Sequence, residues 1–237
     1  MFQESRRRHP AEGGYARGEE TRLRIILVAI DLFGRLGFDG VSTREIAAAA
    51  GVNAPALQYY FQGKEGLYRA CAEHIAQRIA AAVDPLLNHA RRMLRDGADD
   101  EALIGVYCEI MGSITDFLIC TPEGLSSAPM LGREHAGLGP DVARHLLHER
   151  FVEPLHEVCA LMVGRITRRP PGAPETQLRM LAVNGQLLAF HPGRTGLLAS
   201  LGWSDISPEH ARFIKAMVVD HTRALLQAEQ RASLAAD

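Results

Sequence analysis

Ser42 stands three residues ahead of Glu45, and Asn53 stands two residues ahead of Pro55. The first spacing is that of a capping box, in which a serine hydroxyl accepts from the N3 amide while the N3 carboxylate reaches back to the cap amide. The second places a cap side chain before a proline in the first helical turn, where the missing N–H costs little. Gly51 lies between them. Two short helices joined by a tight glycine turn follow, over residues 42–51 and from Asn53 to about Tyr60, and this is the helix-turn-helix arrangement.

Before it, Ile25, Ile26, Ala29, Leu32, Phe33 and Leu36 recur at three- and four-residue steps, an amphipathic helix stopped by Gly37. After it, Leu67, Ala70, His74, Ile75 and Ile79 carry a longer helix expected to stop at Asp84-Pro85. Breaks are expected at Asp96-Gly97, Cys120 to Pro140, Thr167 to Pro174, His191-Pro192-Gly193 and Gly202 to Ser207. Pro154 reads as a bend or a fresh helix start. Ser207-Pro208-Glu209 caps a last helix of about twenty residues ending near Gln230. No alternating run with hairpin turns occurs, so the fold is expected to be all-α, with an N-terminal three-helix domain and a larger helical one. The expected division is residues 1–18 as a flexible basic arm with Arg6, Arg7 and Arg8, 19–68 as the helix-turn-helix domain, and 69–237 as the helical remainder.

Charge narrows the function classes without deciding among them. The chain carries −2 overall; residues 1–78 carry a net +2 and residues 79–237 a net −4. That asymmetry permits nucleic-acid binding by the first part. Uninterrupted apolar runs such as Ile46 to Val52 fall far short of the roughly 18 residues of a bilayer span. The first twenty residues lack the apolar core of a secretory signal, so a cytoplasmic protein with no membrane partner is expected. Cys71, Cys108, Cys120 and Cys159 have no C-x-x-C spacing and read as reduced structural thiols; the redox-sensor alternative lacks a neighbouring cation or second cysteine.

In the segment Val52 to Tyr68, Leu57 and Phe61 are four apart and face a core, which turns Ala54, Pro55 and Gln58 outward. Gln58 can pair with adenine, and Ala54 and Pro55 can touch a thymine methyl. Tyr59, Tyr60 and Lys64 can hold phosphates. Simple packing of the tyrosines is the competing explanation. His145, His148, Glu149, Glu153 and His156 raise a metal alternative, a helical metal-dependent enzyme with a helix-turn-helix-like fragment, but the Glu-x-x-His spacing occurs once where di-iron bundles need two copies. An adaptor that uses the motif for protein contacts is a further alternative. No phosphate loop, nucleophile elbow or zinc-protease motif is present, and neither cofactor, metal nor catalytic residue is expected.

The stretches TRLRIILVAIDLFGRLGF, STREIAAAAGVN and YYFQGKEGLY, in that order over residues 21–68, resemble the DNA-binding domain of TetR/AcrR-type transcriptional repressors. The resemblance implies Thr43 at a phosphate, Arg44 within reach of bases, Asn53, Ala54, Pro55 and Gln58 toward bases, and Tyr59, Tyr60 and Lys64 on the backbone. Gln58 departs from the aromatic residue many members have there. REHAGLGPD, VEPLHE, NGQLLAF and LGW, between Arg133 and Trp203, are similar to the CecR-like subgroup. This implies a homodimer on a palindromic double-stranded DNA operator, released by an unknown small-molecule effector. Ala211, Ile214, Val218, Leu225 and Ala228, with Phe213, Met217 and Leu226, form a face on the last helix broad enough for a partner copy. Met111, Ile114, Phe117, Met130, Met162, Met180 and Phe190 are the candidate pocket wall, as adaptable apolar side chains; ordinary core is the alternative for each.

Overall fold

The computed structural model describes residues 12–190 and 194–235, and among them there is no strand. The helices are α1 (Glu12–Leu36), α2 (Thr43–Ala49), α3 (Ala54–Phe61), α4 (Lys64–Arg95), α5 (Asp100–Cys120), α6 (Pro122–His135), α7 (Asp141–Leu147), α8 (Glu153–Ile166), α9 (Pro174–Gly185), α10 (Arg194–Leu201) and α11 (Pro208–Leu234). The expected arm lies outside the described residues as far as residue 11. Residues 12–18, assigned to that arm by their glycines, instead form the first turns of α1. The break expected at His191-Pro192-Gly193 also lies outside the described residues.

Most boundaries sit where local chemistry puts them. Ser42 and Glu45 close both halves of the capping box, the Asn53 side chain accepts from the Ala56 amide at 3.0 Å, and Ser207 accepts from the His210 amide at 3.1 Å. Gly37 follows α1 at φ 82°, a left-handed conformation open to a residue without Cβ.

Two prolines, Pro85 and Pro129, behave differently from expectation, and a third, Pro154, starts a helix as expected. α4 does not stop at Pro85 but continues to Arg95. An interior proline costs about 3 kcal/mol through its missing N–H and ring clash. Beyond it Leu87 and Ala90 are buried, and the Ser113 hydroxyl donates to the Ala82 carbonyl at 3.0 Å in the disturbed turn. The stretch from Cys120 to Pro140 is not one break, because α6 forms inside it. Thr121 caps that helix by accepting from the Gly124 amide at 3.0 Å, and Pro129 within it lies against Gly34 of α1, where an added Cβ would come within 3.0 Å. Pro154 opens α8 without a bend, since a π-helical turn, His148–Val152, joins α7 to α8 with helical backbone throughout.

α5 is the centre of the larger part. It packs against α4, α6, α8 and α11, and Leu103, Ile104, Tyr107, Ile110 and Met111 are fully enclosed. Each such side chain contributes about 1.5–3 kcal/mol relative to exposure. By length and composition α5 could cross a membrane, against the expectation from apolar runs; its polar Glu109 and Asp116 interrupt the run, not the average. Two-thirds of it is buried inside the fold, which accounts for that composition.

Candidate nucleic-acid interface and cavity

Two sites stand out, one on the surface of the first three helices and one in an open cavity lined by residues between α4 and α10. The first rests on a small core in which Ile25, Ala29 and Phe33 of α1, Ile46 and Ala47 of α2, Leu57 and Phe61 of α3, and Leu67 and Tyr68 of α4 are all buried. Tyr68 meets Phe33 and Phe38 edge-on, with ring centroids 4.8 and 5.2 Å apart. Such a core holds α3 rigidly against the first turn of α4.

On that frame, Leu57 and Phe61 turn inward and Ala54, Pro55 and Gln58 are exposed. Tyr59 is 82% exposed and meets Tyr60 edge-on, 5.2 Å away between centroids. Tyr60 is half-buried beside Phe61, so the packing explanation fits Tyr60 and not Tyr59. Asn53 is exposed, and its side-chain oxygen accepts from the Ala56 amide, which leaves its NH2 group and one oxygen lone pair for another partner. Thr43 is half-buried at the start of α2 and Arg44 is exposed beside it. The Lys64 ammonium, at the start of α4, lies 4.6 Å above the Phe38 ring, a cation–π contact made by the charged end itself. Glu45 is the nearby negative group; the Ser42 amide, then its hydroxyl, hold the Glu45 carboxyl below the usual carboxylate range, with Lys64 adding to the effect.

The second site is a cavity of about 420 Å³. Ile79, Ile114, Leu118, Leu131, Leu147, Phe151, Val152, Leu155, Leu187 and Leu188 give it an apolar wall, with Glu134, His135, Arg144, His148, His156 and Asn184 as its polar members. Of the expected wall residues only Ile114 lines it. Met111, Met130, Met162 and Met180 are fully buried and Phe117 nearly so, filling core space instead, while Phe190 packs half-buried against that core. Methionine adapts to irregular gaps anywhere in an interior, which is why it does not mark this one.

Sequence reasoning missed the residues where the two sites meet. At the end of α6 the Arg133 guanidinium donates to the Gly34 carbonyl at 2.8 Å and the Arg35 carbonyl at 3.1 Å, so it satisfies orphan carbonyls at the C-terminus of α1. The next residue, Glu134, lines the cavity and accepts from the Tyr68 hydroxyl at 2.5 Å. One turn of α6 therefore touches the cavity, α1 and the first turns of α4. The REHAGLGPD stretch contains Arg133 and Glu134, but a run of charged and small residues gives no sign that Glu134 is buried.

The other chemistries find little support in the geometry. Among the described residues no three His, Cys, Asp or Glu side chains converge to hold a metal ion; His145, His148, Glu149 and Glu153 are exposed. Cys71, Cys108 and Cys159 are buried, and burial pushes the Cys159 thiol up to about 12 and the other two upward as well. Exposed Cys120 is also raised, by partial burial first and by Asp116 second. None is held as a reactive thiolate.

Comparison with known proteins agrees with both halves of the chain. The family "Bacterial regulatory proteins, tetR family" matches residues 25–71, and the C-terminal domain of the "HTH-type transcriptional dual regulator CecR" matches residues 123–229. The CecR dual regulator of Shigella flexneri is 32% identical over 92% of this chain and 96% of its own length. The regulatory protein RaaS of Mycobacterium tuberculosis is 29% identical over 75% of this chain and 76% of its own. Among solved structures, AibR in complex with isovaleryl coenzyme A and operator DNA shares the fold at a TM-score of 0.59 and 17% identity, covering 84% of this chain and 96% of that one.

Proposed function

Because this chain belongs to the tetR family of bacterial regulatory proteins and carries a CecR-type C-terminal domain, so that it is a DNA-binding transcriptional regulator and not an enzyme, we propose that it acts as a homodimeric repressor. Residues 19–68 read a palindromic operator in the cytoplasm, and residues 69–237 bind a small effector and pair two copies. The observation that carries this reading is the outward face of α3, where Gln58, Ala54 and Pro55 stand exposed on a rigid aromatic core beside Tyr59 and Lys64. Two such helices in a two-fold dimer would meet successive major grooves when held about 34–36 Å apart.

Pairing is supported by apolar side chains that the protomer leaves uncovered. Ala211, Ile214, Val218 and Leu226 of α11 are used up against the rest of the chain, but Phe213 is 67% exposed and Leu225 47% on its other side. Met217 and Ala228 lie between them on the helix, and α9 adds exposed Leu178 and Leu181. Arg179 on α9 pairs with Glu229 on α11 at 2.6 Å, holding the two helices to one another. Effector release is supported by the cavity and by the α6 turn that joins it to α1 and α4. An occupant that prefers the arrangement with the DNA heads misplaced draws the population away from DNA, by no more than its difference in affinity for the two states. The AibR complex, with an acyl-coenzyme A and operator DNA, is a precedent for both ligands on this fold.

Selecting bound fragments from genomic DNA and then mutating the recovered operator base pair by base pair tests the reading. Gln58→Ala is expected to cost about 1–3 kcal/mol on the preferred operator and to flatten discrimination at one base pair per half-site. Equal loss on every variant would make Gln58 a positioning residue and shift base reading to Arg44 and Asn53.

A further inference from the structure

Glu134 is only 5% exposed, and it is the one carboxylate among the buried polar side chains of the described residues. Its Oε1 accepts from the Tyr68 hydroxyl at 2.5 Å. Gly139 closes the same side, since a Cβ there would fall 1.6 Å from Oε1. Oε2, by contrast, is buried without any hydrogen-bond partner. A carboxylate oxygen withdrawn from water and left unpaired is among the most costly groups a fold can keep. Glu134 is also one of the residues that line the cavity.

The remaining polar groups of the wall do not compete for that role. Arg144 is paired with Asp141, although its charge also favours the ionised form of Glu134. Arg144, His135 and His148 are exposed, which places them at the mouth. Asn184 is occupied twice, accepting from the Tyr107 hydroxyl at 2.8 Å and donating to the Met180 sulfur at 3.3 Å. Half-buried His156 is held toward its neutral form, by burial first and then by His148. The inner end of the cavity thus offers an apolar wall and one unsatisfied acceptor.

We propose that the cavity takes an apolar molecule bearing a protonated amine, whose N–H is received by the free oxygen of Glu134. The assignment rests on the reading of this cavity as the effector site and adds the chemical class of the effector. A charged donor answers a lone carboxylate oxygen better than a hydroxyl does, because charge-assisted hydrogen bonds are roughly twice as strong. An anionic head would meet Glu134 with like charge.

The test uses the full chain and a series sharing one alkyl tail: decylamine, decanol, decanoate and decyltrimethylammonium, each titrated calorimetrically below its micellar concentration. Decylamine is expected to bind about tenfold or more tighter than decanol, and the trimethylammonium, which has no N–H, more weakly than the amine. Glu134→Gln keeps an acceptor for Tyr68 and is expected to abolish the preference for amine over alcohol. Tyr68→Phe, which releases Oε1, is expected to tighten amine binding, and serves if the Gln variant does not fold. Decanoate binding as well as decylamine, or a preference indifferent to both substitutions, overturns the assignment to Glu134 and leaves the effector site standing. Amine binding that obeys these expectations but never weakens the hold on labelled operator DNA overturns the effector reading and leaves the site at Glu134. Failure of all four to bind overturns the proposal outright.

Discussion

Replacing Gly139 with alanine probes the junction between cavity and DNA head by inserting one methyl group. An ideal Cβ at that position lies 1.6 Å from Glu134 Oε1, 2.5 Å from its Cδ and 2.8 Å from the Tyr68 hydroxyl. The backbone is not in a left-handed conformation, so the effect is steric alone. Two responses are open. The loop can shift, an overpacking cost of about 1–3 kcal/mol. Alternatively the carboxylate can swing away, losing a hydrogen bond to a charged group worth about 1.5–3 kcal/mol, with both partners nearly inaccessible to water. The molecule takes the cheaper route, which sets the expected loss at about 2 kcal/mol, or roughly 4–8 °C in Tm for a chain of this size. Equilibrium urea unfolding measures it. Gly172→Ala is the control, because an added Cβ there meets nothing within 4 Å, and it should stay within about 0.5 kcal/mol of wild type. Glu134→Ala opens the space, so Gly139→Ala in that background should cost little. A loss below about 0.5 kcal/mol in the wild-type background, or the same loss with and without Glu134, would refute the reasoning.

Lys64→Ala is expected to weaken binding to all DNA about equally and to lower the slope of log affinity against log salt by about 0.9, read from titrations at several salt concentrations. An unchanged slope would leave Lys64 only its seat above Phe38. The purified protein is expected to scatter light as a dimer, and Phe213→Glu, on the face exposed in the protomer, to yield folded monomers; a dimer that survives this change moves the interface elsewhere. His74 and His156 both have pKa values depressed below the ordinary 6.5, by burial first. Below 6.5 each binds more protons unfolded than folded, so their contribution to stability is full above that value and lost as pH falls through and below it. Raised Glu134 works in the opposite sense, its contribution falling as pH rises above 4.5. Urea unfolding between pH 5 and 7 should therefore show a less positive slope of stability against pH in His74→Gln and His156→Gln than in wild type.

Legibility in the sequence follows the range of the interactions involved. The capping box at Ser42 and the caps at Asn53 and Ser207 form within four residues, so residue type and spacing contain all the physics, and their helices begin where expected. The alternation of buried Leu57 and Phe61 with exposed Ala54, Pro55 and Gln58 is equally local. Pro85 and Pro129 mislead because a helix interior penalises proline by a local term, while what sustains α4 and α6 is contact with residues tens of positions away, such as Ser113 and Gly34. The cavity is harder still. A wall is defined by what is missing between helices, and an apolar residue pays the same transfer energy whether it faces a neighbour or a void. Ile114 and Met111 stand one turn apart on α5, yet only Ile114 borders the space. Glu134 is the extreme case, for nothing in Arg133-Glu134-His135 distinguishes a buried carboxylate from a solvated one. Its burial depends on Tyr68 arriving from sixty-six residues earlier and on Gly139 having no side chain to keep the loop away. A charge that only the folded chain removes from water is invisible to periodicity, and for the same reason it is where a ligand gains most by binding.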